Sequence, residues 1–401
     1  MSETATDNGP APVSRRELRE ASDADGEGAR RSPLHATHVA LAATLVEYAG
    51  WLMPLRYASD LAEHQAVRQA AGIFDLSHMG EIWVSGPGAG AALDRALTGW
   101  LSRLDVGRAR YTMICADDGG VIDDLVVYRP GEEEFLVVAN AANAEVVLTE
   151  LRTRCAGEGV SIVDGSAATA LIAVQGPAAA GIVATAVDEG DRDAVVALKY
   201  YAAVPATVAG VSAMVARTGY TGEDGFELFV PAESADHVWA SLTVAGEGHG
   251  LVPAGLSARD SLRLEAGMPL YGNELDRTTT PYDAKLGRVV RLDKTTEDGA
   301  PVPFVGREAL AGRSSSAPAR LLVGLEGLGR RAARHGYRVL WGDAPVGHVT
   351  SGAPSPTLGH PIAMAYVTPE ASAPGTELSV DVRGRAEPVR VVELPFYSRP
   401  A

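Results

Sequence analysis

The chain has 401 residues, 46% of them apolar, which is ample for two or three packed domains and too much length for one ordinary core. Its 35 basic and 51 acidic residues leave a net charge of −16, which argues against a nucleic-acid or anionic-membrane surface but is compatible with a local basic groove. Two cysteines, Cys115 and Cys155, are too few and too far apart for a metal cluster or a disulfide framework, so a reducing, cytoplasmic location without a metal is expected.

Residues 1–30 mix acids, arginines and small residues without an apolar run and read as a disordered tail. A signal peptide needs a hydrophobic core, and a mitochondrial presequence avoids acids such as Glu17, Glu20, Asp23, Asp25 and Glu27, so neither fits. Apolar stretches such as Ala167 to Val174 fall far short of the roughly 20 residues of a membrane span.

His35 and His38 are three apart, but no further ligand completes a metal set, so they read as surface or capping histidines. The pattern of Ser59 to Ala71 predicts a helix, capped by Ser59 or Asp60, that sets Leu61, Val67 and Ala70 among charged residues. His78 reads as a satisfied, partly buried side chain that donates to backbone. A strand over Gly80 to Val84 leads into GPGAG at Gly86 to Gly90, which lacks the rest of a phosphate loop and reads as a turn. Ala109 to Cys115, Val121 to Tyr128 and Glu134 to Ala139 form an expected antiparallel meander, joined by ADDGG and RPGE. A helix over Ala142 to Cys155 follows, and then strands and helices alternate through Val230 in α+β fashion.

Beyond the Pro-rich and charged stretch Asp293 to Pro303, strand-like runs predict a small antiparallel barrel. They are Leu321 to Leu325, Arg338 to Leu340, Pro345 to Thr350, Ile362 to Val367 and one long alternating segment, Glu377 to Leu394. The expected division is therefore a tail (1–30), a body (31–290) and a C-terminal barrel (291–401).

Two stretches carry candidate chemistry. In RTGYTGEDGFE, Arg217 to Glu227, glycines at 219, 222 and 225 predict a ligand loop at the rim of a sheet, between the strands Val211 to Ala216 and Phe226 to Val230. Turn chemistry reads Glu223 and Asp224 as solvated turn acids. In GGVIDDLVVY, Asp123 and Asp124 enter a strand on opposite faces, both apolar by neighbours, so parity alone does not choose between them.

GYTGEDGFE, with AGLSARDSLRLEAGMPLYGNEL from Ala254 to Leu275, closely resembles the T protein of the glycine cleavage system, the tetrahydrofolate-dependent aminomethyltransferase family. Six further segments occur in the family's order: GWLMPLRY (50–57), AGIFDLSHMG (71–80), GGVIDDLVVY (119–128), VQGP (174–177), TSGAPSPTLG (350–359) and LPFYSR (394–399). The resemblance runs from Pro33 to Arg399. It implies a three-domain cloverleaf around a central folate channel, with the first domain discontinuous and the barrel as the third.

The implied reaction moves an aminomethylene carbon from the lipoyl sulfur of the carrier (H) protein to tetrahydrofolate as co-substrate, releasing ammonia. Glycine decarboxylase (P protein) and dihydrolipoamide dehydrogenase are the implied pathway partners. The resemblance selects Asp123 as catalytic carboxylate, where a fixed anion stabilises positive charge at the carbon and orients the attacking amine. It makes Glu227 the pterin-reading acid and assigns Arg259 to folate, although a salt bridge to Asp260 or Glu265 is the default for that arginine. Met53, Tyr111, Asn140, Tyr397 and Arg399 are further implied ligand residues, of which Met53, Tyr111 and Tyr397 read equally as core fillers. Alternatives on the same scaffold are a folate-dependent demethylase and a non-catalytic folate-binding protein of iron–sulfur assembly; the KGCYTGQE-like loop of the latter is absent here. Two departures stand out: Thr98-Gly99-Trp100 replaces the family's Thr-Asn-Asp, which bears on carrier docking, and RRAARHGYRV (330–339) is unusually basic.

Overall fold

The computed structural model describes residues 28–296 and 298–400. Residues 1–27 of the expected tail lie outside the described residues, whereas β1 (Arg30–Arg31) pairs in parallel with Trp51 and Leu52. Then come α1 (His35–Ala40), β2 (Thr44–Tyr48), β3 (Trp51–Arg56), α2 (Asp60–Gln69) and β4 (Ala71–Asp75). His38, expected at the surface, is fully buried, with Nε2 2.8 Å from Asp75 Oδ2 and Nδ1 2.9 Å from the Tyr57 hydroxyl. The reason is Asp75: β4 carries this carboxylate into the core, where it must find donors, and Ser32 Oγ and the Ser77 N–H (2.9 Å) supply the others.

The α2 helix buries Val67, but only part of its apolar pattern faces inward. Leu61 is 51% exposed, while Glu63 and His64 are buried beside Val67. Ser59 holds the cap position without a side-chain cap; Glu63 instead accepts the N–H groups of Tyr57 (2.8 Å), Ala58 (2.9 Å) and Gly255 (2.9 Å). Glu63 and His64 find partners in the interior, so hydrophobic periodicity finds Val67 but misses the buried polar pair.

A five-stranded antiparallel sheet follows, from β5 (Gly80–Ser85), β6 (Arg108–Cys115), β7 (Val121–Gly131), β8 (Glu134–Ala139) and β9 (Ser161–Asp164), in the order β6-β7-β8-β5-β9. The expected meander is β6-β7-β8. GPGAG forms a turn into α3 (Ala89–Ala96), and α3 and α4 (Ala144–Arg154) cover one face over Ile82, Val84, Leu125 and Val127. Thr98-Gly99-Trp100 is enclosed: a Cβ at Gly99 would lie 2.7 Å from Thr112 Oγ1, which accepts the Gly99 N–H at 2.8 Å, and Trp100 is only 4% exposed.

The second sheet collects β10 (Thr169–Gln175), β11 (Ala203–Val208), β12 (Val211–Ala216), β13 (Gly225–Pro231) and β14 (Leu251–Pro253) around β4, in the order β11-β12-β13-β10-β4-β14. This sheet is thus discontinuous in sequence. Its helices are α5 (Ala179–Ala186), α6 (Glu189–Val196) and α7 (Ala235–Ala245), followed by α8 (Leu256–Glu265). Strand alternation divides the burial. Ile172 and Val174 face the helical layer with Ile182 and Trp239, whereas Leu171 and Ala173 join Phe74, Tyr128, Leu136 and Phe229 between the two sheets.

The last unit contains α9 (Arg307–Ser314), β15 (Leu321–Gly327), β16 (Arg338–Trp341), β17 (Ala344–Pro354), β18 (Pro361–Val367), β19 (Glu377–Asp381) and β20 (Ala386–Val392). The strands close as a barrel, β15-β18-β17-β16-β19-β20. The expected long segment Glu377 to Leu394 is a hairpin, because Arg383 (φ 54°) and Gly384 (φ 79°) both take the left-handed conformation that a tight hairpin turn requires. No helix among the described residues is long and apolar enough to cross a membrane.

Candidate active site

The Gly-rich loop is wrapped around one side chain. Gln175, at the end of β10, donates from Nε2 to Thr218 O (3.0 Å) and accepts from Thr221 Oγ1 (3.0 Å). A Cβ at Gly219 would sit 1.9 Å from Gln175 Oε1 and one at Gly225 2.4 Å from its Nε2, while Gly222 has φ 81°. Two of the three glycines therefore make room for Gln175, and the third permits the turn.

The loop's acids are not solvated as its turn composition suggested. Glu223 is 7% exposed and meets Arg68 of α2 at 2.8 Å. Asp224 pairs with Arg217 (2.6 Å) and Arg399 (3.4 Å). Burial alone raises Asp224, but the Arg217 hydrogen bond and both arginine charges bring it below the usual carboxylate range. Acids in a loop so close to fixed guanidiniums serve as anchors.

Glu227, in β13 at the loop's exit, is half-buried. Its Oε2 accepts from the Tyr128 hydroxyl at 3.1 Å and from Thr218 Oγ1, and Oε1 receives no hydrogen bond from the described residues. One carboxylate oxygen is held while the other is available to a ligand donor. Arg259 forms no ion pair among the described residues; its guanidinium lies 4.7 Å from the centre of the Tyr220 ring. The default salt bridge belongs instead to Arg263, which is 1% exposed and reaches Asp260 (2.7 Å) and Glu274 (3.0 Å). His78 is also buried, edge-on to Tyr48, and its Nδ1 has no partner among the described residues, contrary to the expected satisfied donor. Burial, then the Arg259 charge, lowers His78 to about 4, so the ring is neutral near pH 7.

The two aspartates of β7 face opposite sides but share a donor. Asp123 is fully buried; its Oδ2 accepts the Asn140 N–H (3.0 Å), and its Oδ1 accepts Asn140 Nδ2 (2.9 Å) and Asn143 Nδ2 (2.8 Å). Asp124 accepts from Asn140 Nδ2 (2.8 Å) and from the Tyr111 hydroxyl (2.9 Å). Burial, followed by the Asp124 charge, raises Asp123; burial likewise raises Asp124. No cation pairs with either carboxylate among the described residues, so the pair favours holding a proton.

Of the remaining candidates, Met53 is fully enclosed in β3, opposite Val46. Tyr397 lies under the Arg68 guanidinium, 4.1 Å from the ring centre, and its N–H donates to Glu265 O at 2.8 Å. Arg68 is the hub here: besides Glu223 it reaches Thr221 O (2.8 Å) and Glu265 Oε2 (2.8 Å), joining the loop to α8. Glu265 also accepts from Thr357 Oγ1 (2.7 Å) and Ser355 Oγ of the barrel, with His64 Nε2 at 3.2 Å. Burial pushes the Glu265 carboxyl up, yet the His64 hydrogen bond and charge, with the two hydroxyls, bring it down to about 2.

Tyr128, Thr218, Asn143, Gln175 and Arg68 were not singled out in the sequence. Gln175 lies within VQGP and Thr218 within the Gly-rich segment, but a tyrosine on an apolar strand and an arginine on an amphipathic helix carry no local signal of their partners.

Residues 34–294 match the GCVT N-terminal domain, and residues 320–398 match the glycine cleavage T-protein C-terminal barrel domain. The chain is 59% identical over 374 residues to the aminomethyltransferase of Streptomyces coelicolor, covering 92% of this chain and 98% of that one. It is 60% identical over 373 residues to that of Saccharopolyspora erythraea, covering 93% and 99%. The crystal structure of the glycine cleavage system aminomethyltransferase T from Bartonella henselae superposes with a TM-score of 0.82 at 34% identity, covering 92% of this chain and 98% of that one. With both domains matched and relatives aligned along almost their whole length, the chain belongs to the aminomethyltransferase family of glycine cleavage T proteins.

Proposed function

We propose that this aminomethyltransferase divides binding and chemistry between its two sheets. The Gly-rich loop and Arg259 bind tetrahydrofolate, and the aspartates of β7 handle protons. S-aminomethyl-dihydrolipoyl carrier protein and tetrahydrofolate become dihydrolipoyl carrier protein, 5,10-methylenetetrahydrofolate and ammonia. Bound tetrahydrofolate supplies the two amine nitrogens that receive the carbon. Their two N–H protons end on the sulfur and on the departing nitrogen, so a group that accepts and returns a proton beside the carbon is required.

The observation that carries this reading is the Asp123–Asp124 pair, cation-free among the described residues and bridged by Asn140. A carboxylate raised toward neutrality is matched to proton transfer in both directions. Asp123 is the catalytic carboxylate of the pair; Asn140 fixes both side chains, and Tyr111 orients Asp124. The free Glu227 oxygen suits an amino-pyrimidine N–H, with Tyr128 and Thr218 holding the other oxygen. Arg259, stacked on Tyr220, has a guanidinium fork free for a pterin carbonyl or a carboxylate. Tyr397, Arg399 and Met53 shape the surroundings rather than perform the chemistry. The lipoylated H protein is the direct partner, with glycine decarboxylase and dihydrolipoamide dehydrogenase upstream and downstream in the cytoplasm.

Single-turnover transfer from aminomethyl-lipoyl carrier to tetrahydrofolate tests the reading by following methylenetetrahydrofolate and ammonia. Product at the uncatalysed rate, with folate still bound, would leave a binding protein instead of an enzyme.

A further inference from the structure

We propose that the C-terminal barrel carries a second ligand site, a basic cleft that binds a short organic polycarboxylate. The cleft is open to solvent with a volume of about 480 Å³, and Arg331, Arg334, Arg383 and Arg385 line it together with Tyr337, Pro354 and Val382. It gathers positive charge on a chain whose net charge is −16.

Two of the four, Arg383 and Arg385, keep uncompensated charge among the described residues. Arg331 meets Glu387 at 2.6 Å, and Arg334 donates to Gly352 O at 2.7 Å. Arg383 and Arg385 are exposed and enter no ion pair among the described residues. Converging guanidiniums repel one another, and an anion between them removes that repulsion.

The hairpin presenting Arg383 and Arg385 is fixed from within. Gly384 N–H donates to Asp381 Oδ1 (2.7 Å) and Val382 N–H to Arg385 O (2.8 Å), while Arg383 holds φ 54°, a conformation that a side chain other than glycine's seldom adopts. Those turn amides are occupied, so recognition falls to the guanidinium forks, whose geometry matches paired carboxylate oxygens. The apolar members of the lining, Pro354, Val382 and the Tyr337 ring, favour a carbon skeleton over a bare inorganic anion. The volume is that of a small-ligand pocket. None of these residues touches the folate-binding loop or the aspartate pair, so this inference stands apart from the catalytic reading.

Calorimetric titration of the full chain with a triglutamate peptide, and separately with tripolyphosphate, tests it. Triglutamate is expected to bind one-to-one, with an affinity that falls as salt rises. The double charge reversal R383E/R385E, on an exposed hairpin, should weaken it at least 10-fold without changing the melting temperature or aminomethyl transfer. R383A/R385A serves as a milder second variant should the reversal perturb folding. Absence of triglutamate binding, undiminished affinity in the folded variants, or binding of tripolyphosphate but not triglutamate would each overturn the assignment.

Discussion

Asp123 and Asp124 are tied to one donor: Asn140 Nδ2 lies 2.9 Å from Asp123 Oδ1 and 2.8 Å from Asp124 Oδ1, although the two side chains leave β7 on opposite faces. Strand parity separated them, and a residue from the next strand's end rejoins them. Because Asn140 reaches both, a proton on either carboxyl changes the hydrogen bonding of the other, and the two titrate as one unit.

Asp123→Asn is expected to lower single-turnover transfer by about 100-fold or more, the scale of lost acid–base catalysis. It should also change how stability depends on pH. Burial and then Asp124 hold folded Asp123 at about 8, above its ordinary 3.8. The folded state therefore binds more protons between those values, and stability is lost as pH rises through that window. Urea unfolding from pH 5 to 8 should show a shallower decline in the variant. An equal slope would mean that Asp123 is ionised throughout.

Arg68→Met removes the cation facing two buried carboxylates, Glu223 and Glu265, each 2.8 Å away. Breaking a buried pair in this way costs about 3–5 kcal/mol, which denaturant unfolding measures directly. Arg68→Lys keeps the charge but loses the fork, so an intermediate loss is expected. Because Arg68 also holds Thr221 O, tetrahydrofolate affinity of the folded variant should fall about 10-fold, an expectation read by equilibrium binding.

The elements that were legible share a cause. The meander β6-β7-β8, the strands on either side of the Gly-rich loop and the barrel strands all bury one face or both against apolar layers, and alternation reports that directly. What was hidden is polar and non-local. His38 is buried because Asp75, 37 residues away, needs a donor, and α2 turns Glu63 and His64 inward because Gly255, Ser261 and Thr357 meet them. Glu223 looked like a turn acid because its partner Arg68 is remote in sequence, whereas Asp224 is held mainly by Arg217 of its own segment, with only Arg399 remote. Within the site, the Gly-rich loop and the aspartate pair were visible, but the choice of Asp123 rested on resemblance rather than on pattern.

Glu265 links α8 to the barrel and makes the acid limb of stability predictable. Its folded value of about 2 lies below the ordinary 4.5, so its contribution is present above 4.5 and lost as pH falls toward 2. Glu265→Gln should flatten that acid limb and lower stability at pH 7, as followed by thermal unfolding between pH 3 and 7. If the acid limb keeps its slope, the Ser355, Thr357 and His64 contacts do not hold the charged form.

The glycine spacing of the loop leads to a last expectation. A Cβ at Gly219 meets Gln175 Oε1 at 1.9 Å, far inside van der Waals contact, so Gly219→Ala must expel the glutamine or move the loop. Either displacement breaks the bonds that Gln175 donates to Thr218 O and accepts from Thr221 Oγ1, and Thr218 together with Tyr128 holds Glu227. Gly219→Ala is therefore expected to weaken tetrahydrofolate binding about 10-fold or more. Shortening the obstruction should restore part of it: the double variant Gly219→Ala with Gln175→Ala leaves space for the new methyl group. A cycle over the two single variants and the double measures this coupling, and strictly additive losses would show that Gln175 is not what the glycine accommodates.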